Sequence, residues 1–192
     1  MKPPSAVRIL AGRWKGRRLE VPRGARPTSG RAREALFDIL QGSVLGIRVL
    51  DLYAGSGAIG LEALSRGASS AVFVETDSRA LEANLQALGA RRAEFELLRG
   101  DARRALAKLI ERREKFDLVF GDPPYARKST LWRSVAALLT PGGKLVVQTD
   151  FDAATPEVPG LALASRRAYA RNVFWFFESA GARPLPRVRP EW

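Results

Sequence analysis

Short apolar runs alternate with longer amphipathic segments through the middle of the chain. Five runs are bounded by turn residues and have the length of buried strands: Ile47–Leu52, Ala71–Glu75, Glu94–Leu98, Phe116–Phe120 and Gly143–Thr149. The segments between them have helical spacing: Ala58–Ser65, Ser78–Leu88, Ala102–Arg113 and Ser129–Leu139. Because strands separated by helices of this length pair in parallel with right-handed crossovers, the pattern predicts a doubly wound α/β sheet.

Both ends of the chain depart from this alternation. The strand-like runs Val7–Leu10 and Arg18–Val21 predict a small hairpin, and Thr28 or Ser29 can cap a helix that follows it. Near the other end, Leu161–Ala170 and Asn172–Glu178 predict an antiparallel hairpin attached to the sheet. We therefore expect a mostly parallel, seven-stranded α/β fold. The predicted units are an extension over residues 1–41 and a main domain over residues 42–192, which we expect to fold without residues 1–25.

The amino-acid composition excludes several kinds of functional site. The chain has 192 residues, 46% of them hydrophobic, which is enough for a full core. It contains no Cys and no His, so we expect no disulfide, no zinc site of the usual kind, no other metal site and no histidine general base. No apolar run approaches the ~18 residues of a membrane span, and no secretory signal begins the chain. We expect a cytoplasmic protein.

A glycine-rich turn follows the strand at Ile47–Leu52. Gly55, Gly57 and Gly60 match the spacing of the dinucleotide fingerprint, so an NAD site has to be considered. Glycines at this position let the backbone approach a nucleotide cofactor closely, but they do not distinguish one such cofactor from another.

Three acidic residues at successive strand ends favour a different cofactor. Asp51 would repel the pyrophosphate of a dinucleotide, whereas the ammonium and sulfonium of S-adenosylmethionine suit a carboxylate. Glu75 can accept the ribose hydroxyls, and Asp101 the adenine amine. Each acid also has a structural alternative, since Asp51 could cap a turn, Glu75 could lie at the surface and Asp101 could cap the following helix. The predicted cofactor-binding residues are Asp51, Tyr53, Ala54, Gly55, Ser56, Gly57, Glu75 and Asp101.

The strand Phe116–Phe120 leads into the tetrapeptide Asp122-Pro123-Pro124-Tyr125. The two prolines fix φ and remove two N–H donors, which leaves a stiff loop that presents carbonyl oxygens. Asp122 and a backbone carbonyl, which we assign to Pro123, can accept both hydrogens of a planar –NH2 group, and Tyr125 can stack on the base that carries it. The tetrapeptide therefore predicts methyl transfer to an aromatic amine, achieved mostly by alignment.

Positive charge is concentrated at the start of the chain. Residues 1–33 carry ten basic side chains and one acidic side chain, which is most of the net charge of +12. An evenly basic surface would not cluster in this way, so we expect a segment that neutralises phosphates. The predicted RNA-binding residues are Arg13, Lys15, Arg17, Arg18, Arg26, Arg31 and Arg33.

Taken together, these segments resemble the bacterial RsmD-type methyltransferases. The similarity runs from Arg8-Ile-Leu-Ala-Gly-Arg-Trp-Lys-Gly-Arg17 through Arg26-Pro-Thr28 and Arg31-Ala-Arg-Glu-Ala-Leu-Phe37 to the glycine-rich turn and the tetrapeptide. It implies methylation of the exocyclic N2 of a guanine in 16S ribosomal RNA, at position 966 in standard numbering, within an assembling 30S particle. It also implies that Asp122, Pro123 and Tyr125 contact the target base. We expect a monomer.

Other functions remain compatible with parts of the pattern. An adenine-N6 DNA methyltransferase would use a similar tetrapeptide, but such enzymes usually need a larger recognition domain. A protein glutamine methyltransferase would leave the basic segment unexplained. A catalytically silent RNA-binding module would not need the intact tetrapeptide. An NAD oxidoreductase would need an acid for hydride transfer, and nothing in this sequence supplies one.

Overall fold

The computed structural model describes residues 7–25, 28–40, 42–123, 131–169 and 171–179. A two-stranded antiparallel hairpin, β1 (Val7–Arg8) and β2 (Arg18–Leu19), comes first. Helix α1 (Gly30–Ile39) follows, and the side chain of Ser29 caps it by accepting a hydrogen bond from the Ala32 amide. The predicted hairpin and capped helix are therefore present in this part of the chain.

The described residues form a main sheet of seven strands. These are β3 (Arg48–Leu52), β4 (Ser70–Glu75), β5 (Phe95–Arg99), β6 (Phe116–Gly121), β7 (Leu139–Asp150), β8 (Ala162–Tyr169) and β9 (Asn172–Glu178). Their order is β5-β4-β3-β6-β7-β9-β8. The first five in that order pair in parallel, and β9 pairs antiparallel with both β7 and β8. The predicted doubly wound sheet with a terminal hairpin is confirmed.

Helices cover both faces of this sheet. They are α2 (Ala58–Ser65), α3 (Arg79–Ala87) and α4 (Ala102–Glu111), in addition to α1. One hydrophobic cluster joins α1, α2, α3 and the first hairpin to one face, and a second cluster joins α4 to the other face. No helix among the described residues is long and apolar enough to cross a membrane.

The helix predicted over Ser129–Leu139 is wrong where the chain is described. Residues 131–139 contain two short 3₁₀ turns, Trp132–Ser134 and Ala136–Leu138. Trp132, Val135 and Leu138 are all buried against the sheet, at a spacing of three residues. Because a 3₁₀ turn has three residues, this spacing aligns all three side chains on one side, whereas sequence periodicity alone suggested an α-helix.

The amino-terminal hairpin belongs to the main core. Val7, Ile9, Trp14 and Leu19 are buried in the same hydrophobic cluster as α2 and α3. Residues on both sides of the predicted domain boundary, between residues 41 and 42, therefore belong to one hydrophobic cluster. Removal of residues 1–25 would expose that cluster, so we no longer expect the remainder to fold by itself.

Backbone and side-chain hydrogen bonds fasten this hairpin to α2. The carboxylate of Glu62 accepts the amides of Leu10 and Ala11 at 2.7 and 3.0 Å. The amide of Trp14 donates to Ser65 Oγ at 3.0 Å. Gly12 has φ +79°, and a Cβ there would lie 1.7 Å from the Ser65 carbonyl oxygen, so only glycine permits this close approach.

Candidate active site

Two carboxylates hold the glycine-rich turn between β3 and α2. Asp51 Oδ2 accepts the Gly60 amide at 2.9 Å, and Glu75 Oε2 accepts the Gly55 amide at 2.7 Å. Glu75 Oε1 also accepts the amides of Thr76 and Asp77. Both acids therefore shape the turn directly, a role that the sequence indicated as an alternative for Asp51 but not for Glu75.

The turn also depends on unusual backbone conformations. Tyr53 has φ +63°, and Gly57, the residue before α2, has φ +77°. A Cβ on Gly57 would lie 2.4 Å from Leu81 Cδ1. The fingerprint glycine is thus required at position 57 both by its backbone conformation and by packing against α3.

A pocket opens at the carboxyl ends of β4 and β5, where this class of fold binds ligands. Its lining consists of Tyr53, Val74, Glu75, Thr76, Gly100, Asp101 and Ala102. Three predicted cofactor residues, Tyr53, Glu75 and Asp101, are therefore brought together here. Asp101 Oδ1 also accepts the Arg103 amide at 2.9 Å, so it caps α4 while lining the pocket.

The other predicted cofactor residues lie beside this pocket and do not line it. Ala54, Ser56 and Gly57 are buried within the turn, and the Ser56 carbonyl accepts a hydrogen bond from Asn84 Nδ2. Sequence reasoning missed four lining residues, which are Val74, Thr76, Gly100 and Ala102. Each directly precedes or follows a predicted acid, so their positions next to Glu75 and Asp101 were the available signal.

Asp122 lies directly after β6, next to the end of β7. Its Oδ2 accepts a hydrogen bond of 3.0 Å from Gln148 Nε2. Burial, and secondarily the negative charge of Asp150, raise the pKa of Asp122 to about 7. Pro123 adjoins it, whereas Pro124 and Tyr125 lie outside the described residues.

Asp51, in the strand beside Asp122, is a second acid with a raised pKa. Burial raises the pKa of Asp51 to about 7 against the effect of the Gly60 amide, and repulsion from Glu75 and Asp122 adds to the rise. Acids from three neighbouring strand ends thus repel one another within a shared, poorly solvated region. Such a region favours a positively charged ligand and disfavours a pyrophosphate.

Five of the predicted RNA-binding residues have exposed side chains: Arg13, Lys15, Arg17, Arg18 and Arg31. Arg13 also makes two 2.8 Å hydrogen bonds to the Glu94 carboxylate and stacks on Trp14. The described residues include no group of three or more His, Cys, Asp or Glu side chains that could hold a metal ion.

Arg33 was wrongly assigned to RNA binding, because its side chain is inside the protein. It is 1% exposed, and NH1 donates to the Arg8 carbonyl at 3.0 Å. Arg26 lies outside the described residues, so its predicted role stays a prediction.

Comparison with known proteins identifies the family. A family model described as "Conserved hypothetical protein 95" matches residues 7–178. The chain belongs to this family. One relative is Ribosomal RNA small subunit methyltransferase D of Escherichia coli (strain K12), which is 38% identical over 168 residues. That alignment covers 80% of this chain and 79% of the relative, and it confirms the resemblance to the RsmD-type methyltransferases.

Solved structures of other proteins share the family's fold. A hypothetical protein of Thermus thermophilus, TTHA0928, superimposes with a TM-score of 0.76 at 36% identity, covering 88% of this chain and 98% of that one. SMU.776, whose structure was determined with SAH, has a TM-score of 0.63 at 16% identity and covers 76% of this chain and 48% of that one. The second likeness concerns the fold alone.

Proposed function

We propose that this protein transfers a methyl group from S-adenosylmethionine to the exocyclic N2 of a guanine in 16S ribosomal RNA. Family membership supports ribosomal RNA methylation, since the Escherichia coli relative is named for that activity. The observation that carries the proposal is the position of Asp122, which follows the strand beside the one that leads into the glycine-rich turn.

Within this proposal, the acids at the strand ends have different roles. Glu75 and Asp101 line the pocket and accept hydrogen bonds from the ribose hydroxyls and the adenine amine, respectively. Asp51 holds the turn through Gly60 and contributes negative charge. Bound S-adenosylmethionine supplies an electrophilic methyl group on a sulfonium, whose charge the acids favour.

Asp122 and the Pro123 carbonyl then position the target. Each accepts one hydrogen of the guanine amine, so that the nitrogen lone pair points toward the methyl carbon. The new N–C bond forms as the S–C bond breaks, the bonding pair leaves with sulfur as a neutral thioether, and the methylated nitrogen then releases one proton to solvent water. Because the leaving group needs no protonation, alignment supplies most of the rate enhancement. The absence of histidine from the sequence is compatible with this chemistry.

The exposed basic residues near the amino terminus provide the RNA contacts in this proposal. Lys15, Arg17 and Arg18 lie together around the first hairpin and can neutralise successive phosphates. We further propose that the substrate is an assembling 30S particle in the cytoplasm, that the target guanine is position 966, and that the enzyme acts as a monomer.

A labelled methyl-transfer assay tests the proposal. The full chain is incubated with radiolabelled S-adenosylmethionine and 30S subunits from a strain that lacks the corresponding methylation, and the labelled nucleoside is then identified and mapped. We expect N2-methylguanosine at a single position. Asp122→Ala should reduce turnover by about 10²-fold or more and leave cofactor affinity within a few fold.

Asp152→Ala is the matched control, because this exposed carboxylate lies two residues after the neighbouring strand β7 and has no role in the proposed chemistry. It should retain parental turnover. Label recovered as N6-methyladenosine would overturn the assignment of the base, and label confined to ribosomal protein would overturn the assignment of RNA as the substrate.

A further inference from the structure

Gln148 is a buried polar residue whose amide contacts three side chains from separate parts of the chain. It lies on β7 and is 5% exposed. Its Nε2 donates to Asp122 Oδ2 at 3.0 Å and to Asn172 Oδ1 at 3.3 Å. Its Oε1 accepts from Thr28 Oγ1 at 2.9 Å. Every polar atom of this amide therefore has a partner, as a buried amide requires.

These contacts give the amide one favourable orientation. An ionised carboxylate only accepts hydrogen bonds, so Asp122 requires the NH2 side of Gln148 to face it. The Thr28 hydroxyl, which can donate or accept, bonds the amide oxygen on the opposite side. A flipped amide would place Oε1 against Asp122 Oδ2 and Asn172 Oδ1 and lose both hydrogen bonds that Nε2 donates. Asp122 and Asn172 therefore determine the orientation of the amide, and Thr28 anchors it from the other side.

The contact also fixes Asp122. A carboxylate directly after a strand end can rotate about its side-chain bonds, and each rotation moves both oxygens. The hydrogen bond from Gln148 to Oδ2 restricts this rotation, and Oδ1 is the oxygen we assign to the amine hydrogen. Misplacement of such a partner by about 1 Å is sufficient to slow an aligned reaction.

We propose that Gln148 is a positioning residue that orients the Asp122 carboxylate toward the target amine, and that Thr28 anchors the Gln148 side chain in place. The inference rests on the proposed role of Asp122 in methyl transfer. It connects Asp122 with the chain segment just before α1, the helix that carries the exposed Arg31.

The test is a set of single-turnover measurements on the full chain with saturating S-adenosylmethionine and 30S subunits. Gln148→Leu removes the amide and preserves most of its volume, and we expect it to lower the rate constant about 10-fold. Thr28→Val removes only the hydroxyl and should lower the rate constant about 3-fold. Cofactor Kd and the RNA concentration for half-maximal rate should change less than 3-fold in either variant.

Combined variants separate positioning from a general structural effect. If Gln148 acts through Asp122, then Gln148→Leu should cause no further loss in the Asp122→Ala background. Likewise, Thr28→Val should cause no further loss in the Gln148→Leu background. An equal fractional loss with and without Asp122 would overturn the proposal, as would a parental rate for Gln148→Leu.

A substitute variant and a comparison with Asp122→Ala keep the result interpretable. Gln148→Met serves in place of Gln148→Leu if the latter does not show the parental thermal unfolding transition. A parental rate for Asp122→Ala would mean that the proposed function of Asp122 itself fails. A slow Asp122→Ala combined with a fast Gln148→Leu would mean that only the positioning role fails.

Discussion

Arg33 and Glu62 face each other inside the protein, with Arg33 NH1 3.9 Å from Glu62 Oε2 and both side chains almost fully buried. Glu62 also accepts a hydrogen bond of 2.7 Å from Arg66 Nε, besides the two amides of the first hairpin. Burial lowers the pKa of Arg33, and Glu62 opposes that change. The pair thus joins α1, α2 and the hairpin around one desolvated carboxylate.

We expect Glu62→Ala to lower the free energy of unfolding by about 3–5 kcal/mol, because it leaves Arg33 buried without a compensating charge. Chemical denaturation followed by circular dichroism measures the change. Asp77→Ala, which breaks an exposed ion pair with Arg79, is the control and should leave the midpoint unchanged. The double variant Glu62→Ala/Arg33→Met should regain part of the loss, and failure to do so would contradict the ion-pair explanation.

The rate of methyl transfer should depend on the ionisation of Asp122. Only the carboxylate form can accept an amine hydrogen, so the single-turnover rate should rise with pH up to about 7 and then level off. Asp150→Asn removes the charge that helps raise the pKa of Asp122, and it should move the rise to lower pH. An unchanged profile in Asp150→Asn would mean that another group controls the rate.

Asp51 should make the ligand-free protein less stable at high pH. Its folded pKa of about 7 exceeds its ordinary value of 3.8, so the folded state binds its proton more tightly. The resulting stabilisation is complete below about pH 4 and is lost as pH rises through 7, with an upper bound of about 4 kcal/mol. Asp51→Asn should flatten the fall in unfolding free energy between pH 5 and 7. Urea titrations of both proteins at several pH values test this, and parallel curves would disprove it.

The exposed basic residues of the first hairpin should contribute to the salt dependence of RNA binding. We expect Lys15→Gln/Arg17→Gln/Arg18→Gln to reduce the slope of log affinity against log salt by about 2, from three phosphate contacts and the single-strand coefficient. These side chains are exposed, so the triple variant avoids the exposure of core that truncation would cause.

The matched control removes the same charge from α4 and the residue directly after it through Arg104→Gln/Lys108→Gln/Arg112→Gln, all exposed positions on the opposite face of the sheet. It should leave the slope almost unchanged. Filter-binding measurements between 50 and 200 mM salt give both slopes. Equal reductions of the slope in the two triple variants would indicate that RNA binding depends on the net charge of the protein and not on the hairpin surface.

Glu75→Gln should weaken S-adenosylmethionine binding by roughly 1–3 kcal/mol, because an amide replaces one of the two acceptor oxygens. The same substitution disturbs the Gly55 amide contact, so part of the loss comes through the turn. Titration calorimetry measures the affinity. Saturable micromolar binding of NAD to the parent protein would contradict the assignment of the cofactor.

Local patterns were sufficient to predict the order of elements and the position of the main chemical groups. Asp51 and Glu75 lie at the ends of their strands and Asp101 comes just after β5, and parallel strands bring their carboxyl ends to one edge of the sheet. Strand direction places these residues at one edge without any knowledge of side-chain packing. The sequence therefore indicates the acids at this edge, but it does not indicate which of them lines the pocket and which holds the turn.

Contacts between distant parts of the chain were beyond local patterns. The charge of Arg33 suggested the surface, yet Glu62, 29 positions later, makes its burial possible. Gln148 lies in an apolar strand, and nothing near it in sequence indicates a partner, since Asp122 and Thr28 lie 26 and 120 positions away. Such pairings follow from how the layers stack and not from hydrophobic periodicity.

The close packing of Gly12 against Ser65 has a consequence for biosynthesis. A ribosome completes the hairpin residues before their partners, since those in α2 emerge more than 50 residues later and the Glu94 carboxylate that binds Arg13 lies 81 residues away. Val7, Ile9 and Trp14 are buried in one cluster with α2 and α3, so the nascent hairpin carries exposed apolar groups until those helices have been made. The hairpin thus reaches its native environment only after a delay in synthesis, which makes it a natural site for chaperone contact during translation.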